Sequence, residues 1–264
     1  RGIKTYNSFF NYKNVKSLKS LHKKINIITA ANVICHVPDL KNLIKGIDFL
    51  LSDNGCFIFE EPYLGSMYDK VSYDQIYDEH IYIFSAHSIK KIFELFNFEL
   101  IDVIPQYTHG GSMRYVISRK GQKKINLSVE KLLKKEKTKN IDNIKGCLKF
   151  KKKCEKSKKD LIKKINQLKK NKKIIAGYGA TSKSTTILNY CGINHKKIEF
   201  ICDTTPKKIG KFSPGTHIPI VSMKYFYSNL PDAIFLFAWN HKKEIFIKEK
   251  KLLKKKNWFA HVRL

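Results

Sequence analysis

The chain has 264 residues, 42% of them hydrophobic and 12% aromatic, which is enough to bury a core and excludes wholesale disorder. It has no run of about 18 apolar residues, which excludes a membrane-spanning helix of the usual kind, and the opening RGIKTYNSFFNYK shows no secretory-type apolar segment. The net charge of +30 raises the question of nucleic acid, but of the 52 basic residues only Arg1, Arg114, Arg119 and Arg263 are arginine, the usual bidentate reader of phosphate and guanine. The lysines gather at 123–173 and 242–256 on predicted helices, so solvated helix faces are expected and no specific nucleic-acid partner. Cys35, Cys56, Cys147, Cys154, Cys191 and Cys202 are scattered, with no C-x-x-C and no Cys/His zinc spacing. A reducing, cytoplasmic setting and no metal site are therefore expected.

In chain order, INIITAANVICHV (25–37) is β-branched and continuous, the pattern of a buried strand in a parallel sheet. Pro38 marks a helix start, Leu40, Leu43, Ile44, Ile47 and Leu50 recur at helical spacing, and Gly55 is expected to close the following turn. GCFIFEEPY (55–63) reads as a second core strand, and SAHSIKKIFELFNF (85–98) as an amphipathic helix that Ser85 can cap. ELIDVIPQY and SMRYVISRKG, joined through THGGS, predict an antiparallel pair.

Residues 126–172 are Lys-rich and helical, with a narrow stripe of Ile141, Ile144, Leu148, Leu161, Ile165 and Leu168. A second α/β unit then begins at KKIIAGYGATSKSTTILNYCGI (172–193), with strands at IEFICD (198–203), AIFLFAW (233–239) and WFAHV. Strands alternating with helices predict a parallel sheet. The expected fold is α/β, with residues 1–125 as one domain, 126–172 as a helical connector and 173–264 as a C-terminal Rossmann-like domain.

Four constellations can carry chemistry. GYGATSK follows a strand and opens a helix, a partial dinucleotide fingerprint in which Gly177 and Gly179 fit and Ser182 replaces the third glycine. It predicts an anion site at a helix N-terminus with Lys183 adding charge; the bland alternative is a tight strand-to-helix turn. THGGSMR places two glycines beside His109, Ser112 and Arg114, either a ligand-contacting edge or a glycine hairpin with a surface arginine. FAWNHKKE ends a strand with Trp239 and Asn240, where α/β sheets bind ligands. QIYDEHIYIFS brings Tyr77, Glu79 and His80 close together, and His36 ends the first core strand. A carboxylate holding one ring nitrogen of His80 would leave the other to take a proton, the alternative being a solvated helix edge. A lone histidine beside an apolar strand is more often a satisfied core histidine; its place at a strand C-terminal end is what points His36 to a site.

The words NVICHVPDL, EEPYLGSMYDKVSYDQIYDEHIYIFSAHSI, THGGSMR, GYGATSKSTTILNYCGI, ICDTTPKKIGKFSPGTHIPI and FAWN, in this order, resemble the nucleotide-sugar C-methyltransferases. These S-adenosylmethionine-dependent enzymes alkylate a carbon beside the keto group of a dTDP-linked deoxysugar. The resemblance implies a class I methyltransferase Rossmann-like sheet followed by a second Rossmann-like domain. It places His80 on the general base, Tyr77 and Glu79 on its neighbours, and His36 on a further active-site histidine. It implies Asn32 for the cofactor, and Gly179, Lys183, Ser184, Arg114, Ser112, Trp239 and Asn240 for the sugar nucleotide. The family's zinc cysteines and its glycine-rich cofactor loop have no counterpart in this sequence, so an N-terminally truncated enzyme is expected. The rival expectation is a non-catalytic nucleotide-sugar-binding module.

Overall fold

The computed structural model describes residues 2–18 and 24–264. The chain divides into two compact units, Arg1–Ser66 with Glu79–Gly146, and Met67–Asp78 with Cys147–Leu264.

The first unit starts with a short helix α1 (Tyr12–Ser17) and strand β1 (Ile25–Ala31). β1 is shorter than the expected strand, because Asn32 turns the backbone to a φ of 53°. The Glu61 carboxylate then takes the amide N–H groups of Val33 (3.0 Å) and Ile34 (2.6 Å), and Ile34–His36 coils into a 3₁₀ turn. His36 therefore sits in a turn past the strand end. Nor is β1 buried as expected. It is the edge of a four-stranded sheet of order β1-β2-β4-β3, and Ile27 is 61% exposed.

Helix α2 (Leu40–Leu50) is capped by Asp39, whose carboxylate accepts from the Asn42 amide at 3.0 Å, and buries the expected face of Leu43, Ile44, Ile47 and Leu50. Strand β2 (Leu51–Pro62) starts at once, so Gly55 lies inside it, beside the register shift against β1, and closes no turn. β2 is parallel to β1. After helix α3 (Leu64–Lys70), by which the chain passes into the second unit, helix α4 (Ala86–Glu94) opens with a Ser85–Ser88 capping box. Strands β3 (Phe98–Gln106) and β4 (Ser112–Arg119) form the expected antiparallel pair, with β4 inserted between β3 and β2. Helix α5 (Leu127–Thr138) closes the unit, and its buried Glu136 accepts from the amides of Ala86 (2.8 Å) and His87 (2.9 Å), filling the open N-terminus of α4. The core is aromatic, with Phe57, Phe59, Phe93, Phe98 and Tyr115 all essentially inaccessible.

In the second unit the long helix α6 (Ile144–Lys170) buries Phe150, Cys154, Leu161 and Ile165. The expected stripe is only partly right here: Ile144 and Leu148 are exposed, and Phe150 and Cys154 take over the inward face. Strand β5 (Ile175–Tyr178), helix α7 (Ser182–Cys191), strands β6 (Phe200–Cys202) and β7 (Ile220–Val221), helix α8 (Met223–Ser228) and strand β8 (Ala233–Leu236) follow. Short helices α9 (Lys242–Lys248) and α10 (Lys250–Leu253) lead to strand β9 (Asn257–Phe259). All five strands are parallel, in the order β7-β6-β5-β8-β9. The chain winds one way from β5 to β7 and the other way from β8 to β9, which puts the topological switch point between β5 and β8.

Candidate active site

In the first unit His36, Glu79 and His80 gather at the C-terminal end of β1. The rings of His36 and His80 lie 5.3 Å apart, centroid to centroid. Two hydrogen bonds hold the two chain segments together: the Tyr82 amide donates to the Cys35 carbonyl (3.2 Å), and the Tyr82 hydroxyl to that of Pro38 (3.0 Å). His36 Nδ1 faces the Glu79 carbonyl oxygen at 2.5 Å. Since a carbonyl only accepts, that contact makes Nδ1 the protonated nitrogen and leaves the neutral ring's lone pair on Nε2. So it is the Glu79 backbone that acts here, and it orients His36. Residues 77–80 form a bend and turn rather than a helix edge. Tyr77 belongs to the stretch Met67–Asp78 that the chain lends to the second unit.

Beneath the turn lies Glu61, wholly buried on the inward face of β2, in line with Phe57 and Phe59. Its Oε2 has no hydrogen-bond partner. Burial pushes its carboxyl up, an effect opposed by the Cys35 thiol and the amides that bind it; the same contact and burial push the Cys35 thiol well up. Sequence reasoning missed Glu61. The available signal was an acid at an inward position of an alternating strand.

Asn32 has a second orphaned atom, a buried Oδ1 with no hydrogen-bond partner at the end of β1. An acceptor left open there fits a ligand that brings a donor, as the adenosine portion of S-adenosylmethionine does. Arg114 and Ser112 lie on β4. Arg114 pairs with Glu60 (3.1 Å), which also accepts from Thr108 (2.5 Å), and the Ser112 hydroxyl donates to the Thr108 carbonyl (3.2 Å). Arg114 is thus tied to β2 and Ser112 within the β3–β4 hairpin, where His109 takes a φ of 51° beside Gly110 and Gly111.

In the second unit GYGATSK forms the β5–α7 turn at the switch point. Gly179 has a φ of 89°, and a Cβ there would lie 3.0 Å from that of Ala238, in the loop after β8. Asp203, at the end of β6, gives one oxygen to the Ala180 amide (2.7 Å) and the other to that of Thr205 (2.8 Å). It staples the turn, one amide to each oxygen. Ser184 likewise spends its hydroxyl on the Thr181 carbonyl (2.6 Å).

Lys183, in the first turn of α7, is buried. Burial pulls its ammonium below the usual 10.5, while the Asp74 carboxylate works the other way. Asp74 is fully buried; it accepts from Trp239 Nε1 at 2.6 Å and faces His261 Nε2 at 3.1 Å. Trp239 thus directs its polar edge into the protein, leaving half-buried Asn240 beside it at the end of β8. Sequence reasoning missed Asp74 and His261, which meet only through the fold.

Comparison with known proteins places these features. A family model described as "C-methyltransferase C-terminal domain" matches residues 107–262, more than half of the chain. The chain belongs to the C-methyltransferase family. A methyltransferase-domain model matches residues 4–103 of this chain. "C-methyltransferase NovU" of Streptomyces niveus is 29% identical over 254 residues, covering 96% of this chain and 60% of that protein. The chain thus spans about 60% of the length of this curated relative. Among solved structures, a SAM-dependent methyltransferase from Anabaena variabilis has 18% identity and a TM-score of 0.30, over 42% of this chain and 56% of its own. M1.HpyAVI has 17% identity and a TM-score of 0.27, over 42% and 52%. Among the described residues no helix is long and apolar enough to cross a membrane.

Proposed function

We propose that this C-methyltransferase alkylates carbon on a dTDP-linked 4-keto-deoxysugar, with His80 as the general base. The reading is supported above all by the pair of histidines at the end of β1, whose rings approach to 5.3 Å while the Glu79 carbonyl fixes the tautomer of one of them.

The chemistry is proton abstraction beside a carbonyl. The keto group acidifies the neighbouring C–H, His80 takes that proton, and the electron pair moves onto the keto oxygen. His36, with Nδ1–H committed to the Glu79 carbonyl, can donate to that oxygen only as the imidazolium; Tyr77, two residues before Glu79, is the second candidate donor. General-base assistance is worth about 10²–10⁴-fold. Bound S-adenosylmethionine supplies an electrophilic methyl group, and Asn32 Oδ1 is the acceptor this chain offers it. The sugar nucleotide is assigned to the switch point of the second unit, where Gly179 admits close backbone approach and Lys183 provides charge beside a helix N-terminus. A cytoplasmic setting agrees with six free cysteines.

The test is His80→Ala and His80→Asn in the intact protein. Turnover is expected to disappear while calorimetry shows nearly unchanged affinity for the dTDP-sugar. A variant that keeps the wild-type rate, or loses only sugar affinity, refutes the base assignment. Sugar binding with no response to S-adenosylmethionine would instead identify a binding module.

A further inference from the structure

The sequence spacing gave no metal site, yet the fold brings three soft or borderline ligands together. A cysteine sulfur of Cys35 and one ring nitrogen each of His36 and His80 all lie within 4.8 Å of one another. We propose that Cys35, His36 and His80 form a site for a zinc-class divalent transition-metal ion, which, on the reading of His80 as base, blocks catalysis when bound.

The donor set is the first argument. One sulfur and two imidazoles make a combination that zinc favours and that magnesium and calcium avoid. Zinc–sulfur and zinc–nitrogen bonds of about 2.3 and 2.0–2.1 Å put tetrahedral ligand atoms about 3.3–3.6 Å apart. The three atoms already lie within 4.8 Å of one another, close to that spacing.

Preorganisation is the second argument. His36 Nδ1 is engaged with the Glu79 carbonyl at 2.5 Å, the outer contact that typically orients a metal-binding histidine through its other nitrogen. The Tyr82 amide and hydroxyl bonds hold the segment that carries His80 against the turn that carries Cys35 and His36.

The third argument is electrostatic. Glu61 is fully buried beside the Cys35 thiol, and its Oε2 has no hydrogen-bond partner. A divalent cation on the neighbouring sulfur would bring positive charge next to this buried acid. On binding, the Cys35 S–H bond breaks, its proton leaves to solvent, and its electron pair goes to the metal. Two neutral imidazoles add their lone pairs, and a fourth position remains for water. The lone pair of His80 is then committed and cannot take a proton from carbon.

The probe is cobalt(II), titrated into the full chain after chelator treatment and followed by absorbance. One equivalent is expected to produce a thiolate-to-cobalt charge-transfer band that zinc displaces. Cys35→Ser should abolish the band. His80→Gln, at a half-buried position, should retain a thiolate band and weaken cobalt affinity at least tenfold. Absence of the band in the wild type, or a band and affinity unchanged in both variants, overturns the proposal and points to the other thiols. The base assignment stands or falls separately, on proton exchange from the keto sugar in chelated buffer, where no metal is present.

Discussion

The turn after β1 and the turn after β5 occupy equivalent places in two α/β units, yet they spend their polar groups in opposite ways. After β5 the side chains are saturated: Asp203 staples two amides, Ser184 closes on Thr181, and Trp239 donates to Asp74. Backbone shape and the Lys183 cation are what this turn offers a ligand. After β1, Asn32 Oδ1 and Glu61 Oε2 are buried without hydrogen-bond partners, and the His36 ring is held through Nδ1. A recognition site can be built from a rigid turn, whereas a proton-transfer site needs side chains left with capacity to react.

The largest effect that can break this contrast is at His80, where replacement by Ala should cut turnover by about 10²–10⁴-fold or more, as steady-state rates in the intact protein will show. Next comes Asp74→Ala in the saturated unit, which leaves the Trp239 N–H unpaired in a buried setting and should cost roughly 1–3 kcal/mol by chemical denaturation. Asp74→Asn, which keeps the acceptor, should lose less. Glu136→Ala removes the acceptor of two α4 amides and should cost about 1–2 kcal/mol, seen as a lower denaturation midpoint at unchanged slope.

A smaller effect belongs to Lys183. Because burial lowers its pKa, it loses its charge at a lower pH than an ordinary lysine, so affinity for a nucleotide diphosphate should already fall as pH approaches 10.5 from below. Lys183→Arg should flatten that decline in a calorimetric pH series. A decline with the same midpoint in the arginine variant would remove Lys183 from the site.

Much of the fold was legible because each element carried its own period and cap. The α2 face of Leu43, Ile44 and Ile47, the Ser85 cap and the β3–β4 hairpin needed no long-range information. The same local logic overextended β1, since a β-branched run says nothing of a buried carboxylate on β2 that captures the amides of Val33 and Ile34. It also predicted burial for a strand that lies at a sheet edge. In the site, His36 and His80 were legible as motif residues, but their approach was not. Cys35 with His80, and Asp74 with Trp239 and His261, are pairings made by tertiary structure between segments far apart in sequence.

The central claim, that His80 moves the proton, is tested most directly by following deuterium incorporation beside the keto group of the bound dTDP-sugar in heavy water, by NMR, without methyl donor. The wild-type protein is predicted to exchange that position and His80→Ala to bind the sugar without exchanging it. Exchange at an undiminished rate in the variant, or none in the wild type, would contradict it.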